Sequence, residues 1–323
     1  MRLHEISIEI TQQCPNNCIH CSSYSSWDAT NVLPVGIIYN AIKDAVNLGV
    51  QQICISGGEP FLHENIVEII QYVHQLGVNC VVYSSGIFFD GEKYQSIPKA
   101  LLRQIKPYVT KVIINYEASN GRTYDIIMGT SCGGYRIMRQ SIRSMIETGI
   151  AVETHVVPMQ INVKQIFSII KQCDRLGVTR ISFLRLVNHG RVLDNQHRVC
   201  LTDAETDRLK KKLMCFTDGK SVRIRMGIPF SSCSKRINCM TGINKLNIRY
   251  DGFVYPCEAF KNDMPTGLVK SRPDNICDKS LIEIYSSSPY LKEIRELLDT
   301  YQTIHTCENC LNQYYRRELG NEC

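Results

Sequence analysis

Along the first 190 residues, apolar and polar positions follow two rhythms that take turns. From Met1 to Ile10 they alternate with period two, which reads as a strand and lacks the unbroken apolar stretch of a signal peptide. Four helix-like segments then end at a glycine and lead into short runs rich in β-branched residues. Gly49 precedes Ile53 to Ser56, Gly77 precedes Val81 to Tyr83, Gly149 precedes Val152 to Val157, and Gly177 precedes Ile181 to Leu186. Each glycine stands where a helix would close in the left-handed conformation. The spacings Gly49 to Gly77 and Gly149 to Gly177 are both 28 residues, the length of one β/α unit. With Ile6 to Thr11 and Lys111 to Tyr116, six strands are predicted before about residue 190, and repeated β/α units imply a parallel α/β sheet or barrel. After Arg191 a polar helix (Thr202 to Phe216) and a strand (Ser221 to Met226) lead into a cysteine-rich tail. There, Leu246 to Tyr250 and Phe253 to Tyr255 flank Asp251-Gly252 as a β-hairpin.

Composition adds limits. A chain of 323 residues, 44% hydrophobic and 21% charged, has the make-up of a soluble globular protein with one large domain and a smaller one. Net charge is only +6, and Lys210-Lys211-Lys212 falls on a helical stretch as a solvated face, so no nucleic acid partner is expected. No apolar run approaches the roughly 20 residues of a membrane helix, so no membrane partner is expected and the location is read as cytoplasmic. Sixteen cysteines in such a chain point to metal or redox chemistry.

The polar residues gather where strands end. Cys14, Cys18 and Cys21 follow the first strand as C-x3-C-x2-C. Three thiolates so close can converge on one centre that is one ligand short, and an open position is where metal chemistry happens. A structural zinc site completed by His20 or a distant cysteine fits the same spacing. Gly57-Gly58-Glu59-Pro60 follows strand two, Ser84-Ser85-Gly86 strand three, and Asn115 with Glu117 strand four. His155 and Asn162 attend strand five, while Arg185 and Asn188 to Arg191 follow strand six. In parallel α/β folds these loops share one face, so all fall on one rim. Arg185 there needs an anionic partner, because a buried cation without one is costly. In the tail, the hairpin would bring Cys239 to Cys257, and the Cys307/Cys310 pair would complete a four-thiolate site for iron–sulfur or zinc.

The C-x3-C-x2-C loop after a first strand, with Gly57-Gly58-Glu59-Pro60 about 40 residues on, resembles the radical S-adenosylmethionine (radical SAM) family. The resemblance implies a partial (β/α)6 TIM-type barrel and a [4Fe-4S] cluster on Cys14, Cys18 and Cys21, with its fourth iron chelated by SAM. It places His20 against the adenine and gives Gly57, Gly58 and Glu59 the methionine amine. Ser84, Asn115, Glu117 and Arg185 become further cofactor contacts. The tail resembles the auxiliary-cluster domains called twitch and SPASM, which implies a small α+β domain and a second [4Fe-4S] cluster on Cys239, Cys257, Cys307 and Cys310. Cys233 matches an extra position as a ligand or hydrogen-atom donor. The implied domains are 1–220 and 221–323. The implied reaction is reductive cleavage of SAM to a 5'-deoxyadenosyl radical and hydrogen abstraction from a peptide, giving a crosslink, an epimer or an oxidised residue. The alternatives are a dehydrogenase or epimerase of a sugar, aminocyclitol or other small molecule, and a zinc-binding protein without activity. Expected partners are the substrate, a reductant such as flavodoxin or ferredoxin and, since only 13 residues precede Cys14, a separate leader-peptide recognition protein.

Overall fold

All six strands expected before residue 190 form, and so does the tail hairpin. The computed structural model describes residues 2–130, 133–216, 221–227, 239–262, 268–304, 310–312 and 315. In chain order the elements are β1 (Glu5–Glu9), α1 (Val35–Asn47), β2 (Gln52–Ser56), α2 (Ile66–Gln75), β3 (Asn79–Ser84), β4 (Phe88–Phe89), β5 (Tyr94–Gln95) and α3 (Lys99–Ile105). There follow β6 (Lys111–Asn115), α4 (Gly121–Met128), α5 (Gly134–Thr148), β7 (Val152–Val156), α6 (Ile166–Leu176), β8 (Arg180–Phe183), α7 (Val192–Val199) and α8 (Asp203–Met214). The chain closes with β9 (Arg223–Met226), β10 (Lys245–Ile248), β11 (Val254–Tyr255), α9 (Leu281–Ser287) and α10 (Pro289–Ile304).

The main sheet runs β11-β10-β1-β2-β3-β6-β7-β8-β9. Every pair in it is parallel except β10 with β11. It is open, with β9 and β11 at its edges, as a partial barrel requires. Gly49, Gly77, Gly149 and Gly177 all adopt positive φ where their helices end. The helices bury apolar stripes at helical spacing, such as Ile38, Ala41, Ile42 and Ala45 of α1 and Ile66, Ile69, Ile70 and Val73 of α2. These pack with Ile6, Ile8, Ile53, Ile55, Val82, Val112 and Ile114, which point out of one face of the sheet.

The other face is different. Parallel strands are usually apolar on both sides, yet here the alternate positions are Ser7 and Glu9, Gln52 and Cys54, Glu153 and His155, Arg180 and Ser182, and Lys245 and Asn247. A small cluster of Cys54, Val81 and Ile113 with Tyr83 is the main apolar patch of this concave lumen.

Two features exceed the expected six strands. The strand β9 pairs with β8 and so extends the parallel sheet. The tail hairpin, held by Gly252 N–H donating to the Arg249 carbonyl at 2.8 Å, lays β10 against β1 in register Glu5 to Lys245 and Ser7 to Asn247. The helix α7 and the β4–β5 hairpin were not expected; α7 is short and interrupted by the non-helical backbone of Asn195.

Candidate active site at the strand ends

The cysteine loop is held by backbone. The Asn17 N–H donates to the Met128 carbonyl at 3.0 Å, and Ile19 to Ile127 at 2.9 Å, stitching the loop to the end of α4. Gly129 closes that helix with φ 63°, and a Cβ there would lie 2.4 Å from the Asn17 oxygen. On the far side Arg191 donates from Nε to the Cys18 carbonyl and from a terminal nitrogen to that of Ser25, both at 2.7 Å.

Gly57 and Gly58 owe their identity to this same loop. Gly58 N–H donates to the Thr11 carbonyl at 2.6 Å and Glu59 N–H to that of Gln13 at 2.8 Å. A Cβ on Gly58 would sit 2.1 Å from the Gln13 oxygen, so a side chain would push the approach to Cys14 aside. The close approach expected toward a ligand is therefore, in the first instance, an approach to neighbouring backbone.

Glu59 is fully buried. It accepts from Ser84 Oγ at 2.7 Å, Ser85 Oγ at 2.6 Å and Ser85 N–H at 2.8 Å. Burial pushes its carboxyl up to about 7 despite those donors. Ser84 thus reaches the site through Glu59. Across the rim, Glu117 accepts from Asn115 Nδ2 at 3.3 Å and Val157 N–H at 2.9 Å, and its Oε1 lies 3.7 Å from His20 Nε2. Burial raises Glu117 to about 8, while burial and Arg191 lower His20 to about 4. Near pH 7 the imidazole is neutral and faces a largely protonated carboxyl. Asn162 braces the backbone here by donating to the Glu117 carbonyl at 2.8 Å. His155 stands in the lumen against Tyr83, its pKa lowered to about 3 by burial and the cations around it.

The guanidinium of Arg185 hydrogen-bonds Cys310 and faces Cys257 and Cys239. The partner that this strand-end arginine meets is the group of tail cysteines. Burial is the chief force raising Cys257 to about 12 when no metal is present. Cys233 and Cys307 lie outside the described residues.

Sequence reasoning missed the lumen residues. Lys245 Nζ lies 3.2 Å from Glu5 and 3.1 Å from Glu258, the residue after Cys257, with the Lys245 and Glu258 side chains 34% and 39% exposed to the interior space. Burial alone would raise Glu258, but Lys245, a backbone hydrogen bond and Lys261 together outweigh it and hold the carboxyl below its ordinary range. Lys111 and Arg180 both pair with Glu153 on the same face. The signal was the polar period-two pattern in parallel strands.

A family model for the radical SAM superfamily matches residues 8–171, and one for an iron–sulfur cluster-binding domain, SPASM, matches residues 239–311. The chain belongs to the radical SAM superfamily. This radical SAM enzyme is 26% identical over 271 residues to the subtilosin biosynthesis protein AlbA of Bacillus subtilis, covering 83% of its own length and 57% of AlbA. It is 24% identical over 293 residues to the PqqA peptide cyclase of Methylocella silvestris, covering 89% of itself and 75% of the cyclase. Its fold matches Streptococcus suis SuiB bound to precursor peptide SuiA, with a TM-score of 0.73 at 16% identity, over 91% of this chain and 67% of SuiB.

The residues present suit the family's cofactors. Burial and mutual repulsion raise Cys14 and Cys18, so the bare thiols resist ionising together and call for a strongly positive centre. Asn16 Oδ1 and Nδ2, His20 Nδ1 and Ser25 Oγ are buried beside them without a partner among the described residues, as a loop shaped around a further group would leave them. No three His, Cys, Asp or Glu side chains among the described residues are gathered closely enough for one metal ion. No helix among the described residues is long and apolar enough to cross a membrane.

Proposed function

We propose that this radical SAM enzyme oxidatively modifies a peptide. The observation that carries the reading is the water-accessible polar lumen in which the Lys245–Glu258 pair adjoins the auxiliary ligand Cys257. The names of AlbA and the PqqA peptide cyclase, and the precursor peptide bound to SuiB, support a peptide as substrate. When bound, SAM on the first cluster supplies a carbon radical that takes a hydrogen atom from substrate, and the second cluster supplies an electron acceptor.

The chain's own residues do the rest. Cys14, Cys18 and Cys21 would hold the first cluster, and Cys239, Cys257, Cys307 and Cys310 the second. His20 and Asn115 would border the SAM site, with Gly57, Gly58, Glu59, Ser84 and Glu117 shaping it. Glu258, kept ionised by Lys245, would accept the proton that the oxidised substrate loses. Lys111, Glu153 and Arg180 would give the peptide polar contacts in the lumen.

Glu258→Gln tests this. With a modified peptide followed by mass spectrometry, product formation should fall about 10²-fold, while 5'-deoxyadenosine release continues. The triple variant Cys14→Ala/Cys18→Ala/Cys21→Ala marks the zero for that release. Full product formation by Glu258→Gln would remove Glu258 from the mechanism. Turnover of a sugar or aminocyclitol, with no peptide modified, would replace the substrate class.

A further inference from the structure

The auxiliary arm reaches back into the radical SAM loop through a buried ion pair. Lys261 stands four residues after Cys257, and Ser23 two residues after Cys21. The ammonium of Lys261 pairs with Glu9 at the end of β1, donates to Ser23 Oγ at 2.6 Å, and has a side chain only 4% exposed. Ser23 Oγ in turn donates to the same Glu9 oxygen at 3.0 Å. Next door, Asn262 Nδ2 donates to the Ser22 carbonyl, and Arg249 of the hairpin turn donates to the Lys261 carbonyl and to Asn262 Oδ1. The first half of the cysteine loop is pinned by α4; beyond Cys21 the auxiliary arm supplies these contacts, beside those of Gln12 Nε2 to the Ser23 carbonyl and Arg191 to that of Ser25.

We infer that Lys261 is a positioning residue. By holding Glu9 and Ser23 from the auxiliary side, it sets the conformation of the loop that carries Cys21, so that SAM binding at the first cluster depends on a seated Cys239–Cys257 arm. The geometry favours this over simple packing. A buried lysine bound to both a strand-end carboxylate and a loop hydroxyl fixes an orientation, which an apolar contact would not. The inference rests on Cys14, Cys18 and Cys21 as the SAM-cluster loop, and not on the substrate.

The test compares wild type, Lys261→Met and Glu9→Met/Lys261→Met, each purified anaerobically, by hydrogen–deuterium exchange and by equilibrium SAM binding. In Lys261→Met, exchange of the amides from residue 18 to 25 should rise about tenfold and the SAM dissociation constant should weaken about tenfold, as for other outer-shell partners of metal ligands. Exchange in α1 and α2 should not change. The double variant removes the unpaired buried charge and should recover thermal stability, yet keep the exposed loop and the weak SAM binding. Cys257→Ala should raise exchange in the same segment of wild type and add nothing in Lys261→Met. Unchanged loop exchange in Lys261→Met, or recovery of both loop protection and SAM affinity in the double variant, would overturn the inference. The exchange measurement needs no cofactor turnover, so it decides the role of Lys261 even where SAM binding itself fails in wild type, a result that would instead sink the assigned site.

Discussion

At the scale of single residues, burial sets the protonation of the rim. Glu117 and Glu59 are raised from 4.5 to about 8 and about 7, chiefly by loss of water. A carboxyl whose folded pKa is raised binds more protons folded than unfolded between the two values. Stability is therefore highest below the unfolded value and declines as pH rises through the folded one. The contribution of Glu117 should be lost between about pH 4.5 and 8, opposed below about 6.5 by His20 and His155, whose lowered pKa values act the other way, so the cluster-free protein should lose stability mainly between about pH 6.5 and 8, and Glu117→Gln should flatten that slope. Thermal unfolding of both proteins across this range checks it, and parallel slopes would assign the loss to other groups. The family resemblance brought Glu59 and Ser84 to the site by motif, but their order within it, with Ser84 bound to Glu59, depends on contacts between β2 and β3 that no local pattern encodes.

At the scale of elements, the loop after β2 braces the loop after β1. Because Gly58 has the Gln13 oxygen where a Cβ would be, Gly58→Ala should displace the approach to Cys14. It should cost roughly 2 kcal/mol or more of stability and lower the iron bound at Cys14, Cys18 and Cys21. Denaturant titration and iron analysis in a variant lacking the auxiliary cysteines measure both. Normal iron loading would show that the loops move independently. The strands and their glycine ends were readable because propensity and tertiary demand agree there. The helix α7 was not, since its polar composition and the break at Asn195 weaken any local signal.

At the scale of the whole molecule, the tail does not stand apart from the core. Its β10 extends the parallel sheet beside β1, and Lys261 and Arg185 cross the boundary in opposite directions, one to the radical SAM loop and one to the auxiliary thiols. Residues 1–238 expressed alone would leave β1 as an unpaired edge and Glu9 without its cation. That fragment should aggregate or unfold at a temperature well below the full chain, as circular dichroism and size-exclusion chromatography would show. A soluble fragment of equal stability would make the two halves independent domains.

The sequence by itself determined the repeat and the cysteine spacing: which cysteines stand close together in one loop, which stand in the tail, and where β/α units begin and end. Each of those is a matter of spacing along the chain or of backbone conformation at one glycine, and both act locally. Only the tertiary structure decided which partner each strand-end residue meets. Arg185 faces Cys239, Cys257 and Cys310 of the tail. Lys245 and Glu258 form a lumen pair because β10 lies against β1, and Lys261 reaches Glu9 across 252 residues. Such contacts are set by how the sheet is ordered in space, and that order is a property of the folded whole.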